Sequence, residues 1–386
     1  MPKNPPFYIY LRSLTTSPPE LSVLNIYTDM CPHVSNRGLG RQLTDKWYAT
    51  HQFIAEMIFH ARAEWHPCRV PDPARARMFY VPFYAGLYGS SRFMEREFGV
   101  RDGLGVELGE FVSGGKFWRR MNGKDHFMVV GRTAWDFMRA NDGVAEDFGA
   151  NRLLLLPPVK NMSILTVERQ PWHGLNQFGI PYPSYFHPYT SADVAEWQDS
   201  IRQSKRTHLY SFIGGPRVNV EKAAVRNDIL HQCAQSNRCI RVQCEPGSTN
   251  CHEPDRVLEV MKRSKFCMQP PGDSFTRRSV FDSVLAGCIP VFFSEHTAYT
   301  QYKWYFPVRR EEWSVFIEPD RWGSIEEELN RIDEERVEKM REKVIEMIPL
   351  VTYAHPNASF GELGFEDAVD VALMELTKHV NTLASN

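Results

Sequence analysis

Residues 265–295, KFCMQPPGDSFTRRSVFDSVLAGCIPVFFSE, contain a strand–turn–helix–strand pattern that decides the fold class of this 386-residue chain. One apolar run ends at Gln269, and a second occupies 288–293. Between them a proline–glycine turn leads into a segment with apolar residues at helical spacing. Near-continuous apolar runs are typical of strands in a parallel sheet, and such strands are joined by crossover helices. The stretch therefore predicts an α/β fold.

The same alternation continues in both directions along the chain. Strands are predicted at 6–11, 77–83, 125–132, 152–157, 207–213, 240–243, 265–269 and 288–293. Helices are predicted at 47–65, 193–204, 221–233, 254–263, 274–285, 324–348 and 361–379. Between these elements, residues 181–188 (PYPSYFHP) show no regular period and read as a linker or cleft segment. The pattern predicts two α/β lobes, 1–189 and 190–350, with a C-terminal segment 351–386 that packs back on the first. A cleft between two such lobes is the expected ligand site.

Composition excludes several classes of protein. The chain is 42% hydrophobic and 24% charged, with a net charge of −2 and no strongly basic segment, which argues against nucleic-acid binding. No run of 18 apolar residues predicts a membrane span, and the first residues lack the apolar core of a signal peptide.

The eight cysteines include no C-x-x-C pair of the kind that binds zinc. Cys233–Cys239 and Cys244–Cys251 are predicted to be disulfides that close short polar loops, with Cys31–Cys68 as a third, weaker pairing. Cys267 and Cys288 lie in apolar strands and are expected to be buried, inert thiols. Two N-x-S sequons at 161–163 and 357–359 favour an oxidising lumen, while reduced cytosolic cysteines are the alternative.

The turn around Gly272 is a candidate phosphate-binding site. A glycine turn that leads into a helix offers free backbone N–H groups and the positive end of the helix dipole. Asp273 or Ser274 is expected to cap that helix.

Charged residues follow in the first turns of the same helix. Arg277 and Arg278 are unfavourable there unless an anion is also present. Asp282, one turn beyond Arg278, can accept hydrogen bonds from ribose hydroxyls. The alternative is a surface helix with an ordinary Arg278–Asp282 ion pair.

A second glycine turn, in SFIGGPR (211–217), ends an earlier strand. Arg217 would project from the carboxyl end of that strand towards the same site, and Gly214 and Gly215 of the turn are further candidate donor-binding residues. An ordinary surface turn is the alternative.

The residues also bear on metal use and on proton transfer. The chain has no D-x-D pair to hold Mg²⁺ or Mn²⁺ against a diphosphate, so neither metal nor other cofactor is expected and arginines would replace the metal's charge. Four residues at strand ends in the first lobe are candidate general bases: Asp125, His126, Asp136 and His187. Asp136 is favoured because Trp135 beside it could stack on a sugar ring, although helix capping or a salt bridge would also explain this aspartate.

The 265–295 stretch resembles the donor-binding signature of the exostosin family of glycosyltransferases, in its plant cell-wall branch. FYVPFYAGL (79–87), KDHFMVVGRTAWDF (124–137), IPYPSYFHP (180–188), SFIGGPR (211–217) and CIPVFF (288–293) resemble the same branch in the same order, closest to xyloglucan galactosyltransferases. The resemblance implies a GT-B architecture of two Rossmann-like lobes and an inverting reaction. It also implies a Golgi type II membrane protein whose N-terminal anchor is absent from this sequence. By the same resemblance, Arg217, Arg277 and Arg278 bind the donor diphosphate and Asp282 binds ribose.

The resulting hypothesis is an inverting enzyme that moves galactose from UDP-galactose to xylosyl side chains of xyloglucan. The expected partners are a UDP-sugar and a xyloglucan oligosaccharide or polysaccharide, without nucleic acid; a homo- or hetero-oligomer is also considered. Arabinose or galacturonate donors are alternatives within the family. A carbohydrate-binding protein without catalysis and a pyridoxal-dependent phosphorylase are alternatives of other classes.

Overall fold

The computed structural model describes residues 6–10, 29–93, 95–140, 149–244, 251 and 253–385. The chain forms two compact units, one of Met1–Tyr189 with Tyr353–Asn386 and the other of Thr190–Thr352. The sequence-based boundary after residue 189 is the same as the first of these divisions, and the boundary after residue 350 lies two residues before the second. None of the helices in the described segments is long and apolar enough to cross a membrane.

The first unit is built on a parallel sheet in the order β1-β4-β5-β6-β7, so its strands follow one another in chain order. Between β1 and β4 in the sequence, β2 and β3 form a separate antiparallel pair. The strands are β1 (Phe7–Ile9), β2 (Gln42–Thr44), β3 (Trp47–Tyr48), β4 (Met78–Tyr80), β5 (His126–Val130), β6 (Ser163–Thr166) and β7 (Gln177–Gly179). The α-helices are α1 (Ala55–Glu64), α2 (Ala85–Ser91), α3 (Phe98–Ser113), α4 (Pro157–Asn161), α13 (Phe360–Leu363) and α14 (Ala368–Ser385).

The second unit is built on a parallel sheet in the order β12-β11-β10-β8-β9. Its strands are β8 (His208–Gly214), β9 (Cys239–Gln243), β10 (Ser264–Gln269), β11 (Ile289–Phe292) and β12 (Val315–Phe316). Its α-helices are α5 (Ser191–Gln203), α6 (Val225–Gln235), α7 (Pro254–Lys262), α8 (Arg278–Leu285), α9 (Ala298–Gln301), α10 (Ile325–Asn330), α11 (Glu334–Glu346) and α12 (Ile348–Val351). Short 3-10 helices occur in both units: Cys31–His33, Asn36–Gly38, Pro73–Arg75, Trp118–Arg120, Ala134–Phe137, Leu153–Leu155, Glu221–Ala223, Arg310–Glu312 and Pro319–Ser324.

The core of the second unit shows why the apolar runs become strands. Phe266, Met268, Ile289 and Val291 are each at most 3% exposed and belong to one apolar cluster of the sheet and its covering helices. Burial of side chains this large contributes roughly 1.5–3 kcal/mol each. Both units thus have the α/β class and parallel sheets that the sequence predicts.

A buried ion pair and a hydrogen bond attach the C-terminal segment to α1 and to the residues just after it, within the first unit. The Arg62 guanidinium lies 2.9 Å from a carboxylate oxygen of Asp367, and both side chains are fully buried. His66 Nε2 lies 3.0 Å from Asp370. Loss of one partner from a buried pair leaves an uncompensated charge, so these contacts fix the position of α14 on the unit.

Three element predictions are wrong in detail. Residues 152–157 form a 3-10 turn that leads into α4, because Pro157 and Pro158 start a helix and cannot donate to a sheet. The next strand of the sheet is instead β6. The helix predicted from Trp47 begins only at Ala55, since Trp47 pairs with the β2 segment. The helix predicted at 324–348 is broken into α10 and α11.

The structure contains disulfides Cys233–Cys239 and Cys244–Cys251, as predicted. It also contains Cys267–Cys288, which contradicts the prediction of two inert thiols. Their burial is confirmed, but β10 and β11 are neighbours in register, Phe266 opposite Ile289, and this brings the two Cα atoms within 5.8 Å. The third predicted pairing is wrong, since neither Cys31 nor Cys68 takes part in a disulfide.

Candidate functional site

The strand order of the second unit reverses between β8 and β10, which are neighbours in the middle of the sheet. The chain passes from β8 outwards to β9 on one side, and β10 then leads to β11 and β12 on the other. Loops that leave two such strands diverge and open a crevice beyond their carboxyl ends, where doubly wound α/β proteins bind ligands. These loops are 215–220 after β8 and 270–277 after β10, and they carry most of the predicted donor-binding residues.

Glycines let the chain pass closely around this crevice. A Cβ on Gly215 would lie 2.7 Å from the Cys244 carbonyl oxygen, and one on Gly214 would lie 2.7 Å from the Phe212 ring. A Cβ on Gly272 would lie 1.3 Å from Nη2 of Arg277, whose guanidinium therefore occupies the space beside this glycine. These glycines therefore allow close packing within the protein, and their part in donor binding stays a prediction.

Arg226, near the start of α6, fastens the two loops to each other. Its guanidinium donates to the carbonyl oxygens of Pro271 (2.6 Å), Gly215 (2.9 Å) and Pro270 (3.4 Å). The residue is only 3% exposed. The sequence analysis missed it, because an arginine in an amphipathic helix reads as a solvent-facing residue. Only the packing of α6 against both loops reveals its function.

Further contacts join the same two loops near the surface. Arg217 Nε donates to both carboxylate oxygens of Asp273, at 3.0 and 3.2 Å. The Lys222 ammonium lies 4.9 Å from the centre of the Phe275 ring. Arg217 thus projects from the end of β8 to the β10 loop, as the sequence suggests, and its exposed pair with Asp273 can open at little cost.

The crevice is electropositive. Burial lowers the pKa of Arg226 to about 9, and the neighbouring guanidiniums of Arg277 and Arg217 lower it further, against a smaller opposite effect of Asp273. A bound anion reduces the repulsion between cations in a partly buried site. The charge therefore matches a diphosphate.

Helix α8 begins at Arg278 with Arg277 as its N-cap residue and without a side-chain cap. The capping predicted for Asp273 or Ser274 is wrong, because three residues, 275–277, separate this pair from the first residue of the helix. The carboxylate of Asp273 accepts from Arg217, and the Ser274 hydroxyl donates to the Thr276 carbonyl (3.2 Å). Ser274 remains within the β10 loop.

Arg278 and Asp282 lie on one face of α8 as an i,i+4 pair with 3.4 Å between Nε and Oδ2. They are 7% and 2% exposed, so the pair is not the solvated surface bridge of the alternative interpretation. Burial of an ion pair costs desolvation free energy. Substitution of either member leaves the charge of the other buried without compensation.

In the first unit, Asp125 and His126 lie at the amino end of β5. His126 Nδ1 donates to Asp125 Oδ1 (2.8 Å), and its Nε2 is bonded to the Tyr10 hydroxyl (2.9 Å). Asp125 also accepts from Arg120 (2.7 Å). His126 is fully buried and stacks on Phe79 at 4.8 Å. These contacts show that His126 is a histidine packed within the core of the sheet.

Asp136 lies beyond the opposite, carboxyl end of β5, in the 3-10 helix Ala134–Phe137. Its Oδ2 accepts from Arg132 Nε (2.7 Å) and from the Thr133 hydroxyl (3.3 Å). Ligands bind at the carboxyl ends of parallel strands, so its position favours Asp136 over Asp125 and His126. Its ion pair with Arg132 also fits the structural alternative considered above.

His187 has a third, separate environment. Its Nδ1 donates to the Tyr353 carbonyl, and its Nε2 is bonded to the Thr50 hydroxyl, both at 2.9 Å. Burial lowers its pKa to about 4, so the ring is neutral at neutral pH. A general base must reach the proton that it removes, and this fully buried ring is enclosed.

Glu56 of α1 is a buried carboxylate that the sequence analysis missed. Oε2 accepts from the backbone N–H groups of Gly86 (2.9 Å) and Gly131 (2.8 Å), and Oε1 accepts from that of Leu87 (3.0 Å). Burial raises its pKa to about 7, although these hydrogen bonds and Arg132 oppose the shift. It joins α1 to the start of α2 and the end of β5.

Over the described ranges, no group of three or more His, Cys, Asp or Glu side chains is arranged to hold a metal ion. The prediction of metal-independent chemistry stays a prediction.

Residues 6–332 match the Exostosin GT47 domain. The chain belongs to this family of glycosyltransferases. It is 58% identical over 358 residues to the probable xyloglucan galactosyltransferase GT17 of Arabidopsis thaliana, a match that covers 92% of this chain and 78% of that protein. Xyloglucan galactosyltransferase MUR3 of the same plant is 41% identical over 396 residues, which cover 98% of this chain and 63% of MUR3. The family and enzyme class predicted from sequence are confirmed.

Two solved structures are more distantly similar. The pneumococcal O-GlcNAc transferase GtfA, in complex with UDP and GlcNAc, is 10% identical with a TM-score of 0.29, over 72% of this chain and 60% of that chain. A GtfA/B complex gives 12% identity and a TM-score of 0.33, over 71% and 61%. Neither likeness is close enough to assign a function.

Proposed function

We propose that this protein is an inverting glycosyltransferase that moves galactose from UDP-galactose to xylosyl side chains of xyloglucan. The observation that carries the proposal is the extended sequence identity to relatives named xyloglucan galactosyltransferases. The two relatives are identical to this chain at 58% of 358 and 41% of 396 aligned residues, and the aligned regions include both α/β units.

The crevice at the β8–β10 switch point supports a nucleotide-sugar donor. Two glycine turns, the cations Arg217, Arg277 and Arg278, and the N-terminus of α8 suit a diphosphate. As the glycosidic bond breaks, the UDP leaving group gains negative charge, so cations at the diphosphate act more strongly on the transition state than on the bound donor. We assign the ribose to Asp282.

Inversion also requires a base that takes the proton of the attacking acceptor hydroxyl. We propose Asp136, because it lies beyond the carboxyl end of β5 beside Trp135. For this role the carboxylate would exchange part of its contact with Arg132 for the acceptor hydroxyl. Asp125, His126 and His187 remain the other candidates, and all four side chains are buried.

We further propose that the protein acts in the Golgi lumen and needs no metal. Three disulfides support an oxidising compartment. The asparagines of both sequons, Asn161 and Asn357, are exposed and could carry glycans. A homo- or hetero-oligomeric state stays a prediction.

The test is a screen of UDP-sugars against xyloglucan oligosaccharides, with products detected by mass. A hexose increment that appears only with UDP-galactose supports the proposal. A pentose or uronate increment would instead identify an arabinose or galacturonate donor. Binding of the oligosaccharide without turnover of any UDP-sugar would favour the carbohydrate-binding alternative.

A further inference from the structure

The loop between β6 and β7 is held in shape by two buried glutamines. Gln170 accepts from the backbone N–H groups of Trp172 (2.7 Å) and His173 through its side-chain oxygen. The side-chain oxygen of Gln177 accepts from the Gln170 backbone N–H (2.9 Å). The two glutamines are 6% and 5% exposed. Buried amide networks of this kind order a loop only when they are satisfied, as these are.

This ordered loop presents a large aromatic side chain to solvent. Trp172 is 53% exposed. Its ring stands nearly perpendicular to that of Trp135, with 6.0 Å between centroids and 72° between planes. The Trp135 indole N–H in turn points to a carboxylate oxygen of Glu168 at 3.4 Å, which fixes its orientation.

We infer that Trp172 and Trp135 form a subsite for sugar rings of the oligosaccharide acceptor. The inference rests on the proposed transferase function. A pyranose ring has an apolar face of C–H groups with partial positive charge, and an aromatic ring offers a negative π face of similar size. Two indoles at nearly right angles give a corner that can hold one ring by its face and its neighbour by an edge.

The position of the pair supports an acceptor rather than the donor. Trp135 immediately precedes Asp136 in the 3-10 helix beyond β5, and the Trp172 loop follows β6. β5 and β6 are paired neighbours, so both aromatic residues lie at the carboxyl edge of the first sheet. A sugar stacked there would be held beside the proposed base, and the nucleotide crevice belongs to the second unit.

Steady-state kinetics on Trp172→Ala and Trp172→Phe test this subsite, with a xyloglucan oligosaccharide and UDP-galactose each varied in turn. We expect Trp172→Ala to raise the acceptor KM about ten-fold, equivalent to about 1.4 kcal/mol, with an unchanged donor KM. Trp172→Phe should restore most of the affinity, since it keeps an aromatic face. Slow hydrolysis of the donor by water should be the same in all variants.

Two exposed residues provide matched controls. Leu175 lies in the same loop and is 87% exposed, and Trp65 is a tryptophan at the end of α1 that is 65% exposed. Leu175→Ala and Trp65→Ala should leave the acceptor KM unchanged. An equal loss in Leu175→Ala would overturn the inference in favour of a general apolar surface for a protein or membrane partner.

Failure of the subsite and failure of the proposed function give different results. If the parent enzyme transfers galactose and Trp172→Ala has a normal acceptor KM, the subsite is refuted while the function stands. Calorimetric titration with the oligosaccharide alone needs no turnover. Binding to the parent protein that is weakened in Trp172→Ala would support the subsite even if no UDP-sugar is transferred.

Discussion

Arg226 fastens the two loops of the proposed donor site, and its replacement by methionine separates site geometry from overall stability. Methionine keeps an apolar stem of similar length and removes the guanidinium. Two of the three hydrogen bonds, to Pro271 and Gly215, have ordinary lengths of 2.6 and 2.9 Å, and the third, to Pro270, is long at 3.4 Å. The loss therefore amounts to two well-formed charged hydrogen bonds.

Hydrogen bonds to a charged group contribute about 1.5–3 kcal/mol each, or about 3–6 kcal/mol for two. The burial of the guanidinium itself costs several kcal/mol, which methionine recovers. We therefore expect a net loss of only about 1–3 kcal/mol in the free energy of unfolding. The loops lose their shared anchor, however, and we expect the donor KM to rise about 10–100-fold, or about 1.4–2.7 kcal/mol. Arg226→Lys should recover part of the loss, since an ammonium reaches fewer carbonyls.

Arg206→Met is a matched control from the same unit. Its guanidinium also donates to three carbonyl oxygens, those of Met261 (3.0 Å), Ser264 (3.1 Å) and Ala286 (2.9 Å). These lie in the last turn of α7, at the first residue of β10 and at the C-cap of α8, on the side of the sheet opposite to the crevice. Urea denaturation should show a similar destabilisation in both variants, while UDP-galactose kinetics should change only in Arg226→Met. Equal donor KM values in the two folded variants would refute the positioning role of Arg226.

Four further results are expected. Arg278→Ala should lower kcat about 10–150-fold and Asp282→Ala should mainly raise the donor KM, as measured by steady-state kinetics with thermal melts to verify folding; parent-like kinetics in both would place the donor elsewhere. Activity should survive EDTA, and complete inactivation that Mn²⁺ restores would contradict the metal-free mechanism. Asp136→Asn should lower kcat by about 10²–10⁴ with nearly unchanged UDP affinity in a calorimetric titration, whereas normal turnover would transfer the role of base to another residue. Burial raises the pKa of Glu56 from 4.5 to about 7, so its stabilising contribution is fully present below about pH 4.5 and is lost as the pH rises through about 7. Glu56→Gln should abolish this pH dependence of the free energy of unfolding, measured by urea denaturation from pH 4 to 8. An unchanged pH dependence would assign it to another group.

Local sequence patterns were sufficient for the α/β class and for the glycine turns of the candidate donor site. Apolar runs such as 288–293 become interior strands of the sheet because a chain segment without polar positions must be buried on both faces. The order of motifs along the chain also identified the exostosin family. Helix boundaries were less accurate, since the helices predicted from Trp47 and Ser274 begin only at Ala55 and Arg278.

Tertiary structure alone decided which distant residues meet. The sequence predicts Cys267 and Cys288 as separate thiols in two apolar runs. The parallel register of β10 and β11 brings them close enough to form a disulfide. Arg226 and Glu56 look like ordinary helical charges, yet each joins backbone groups from separate loops inside a unit. From its periodicity, the sequence predicts only that each of these two side chains lies on a helix. Their partners depend on how strands are ordered in the sheet, which is a long-range property that no local pattern contains.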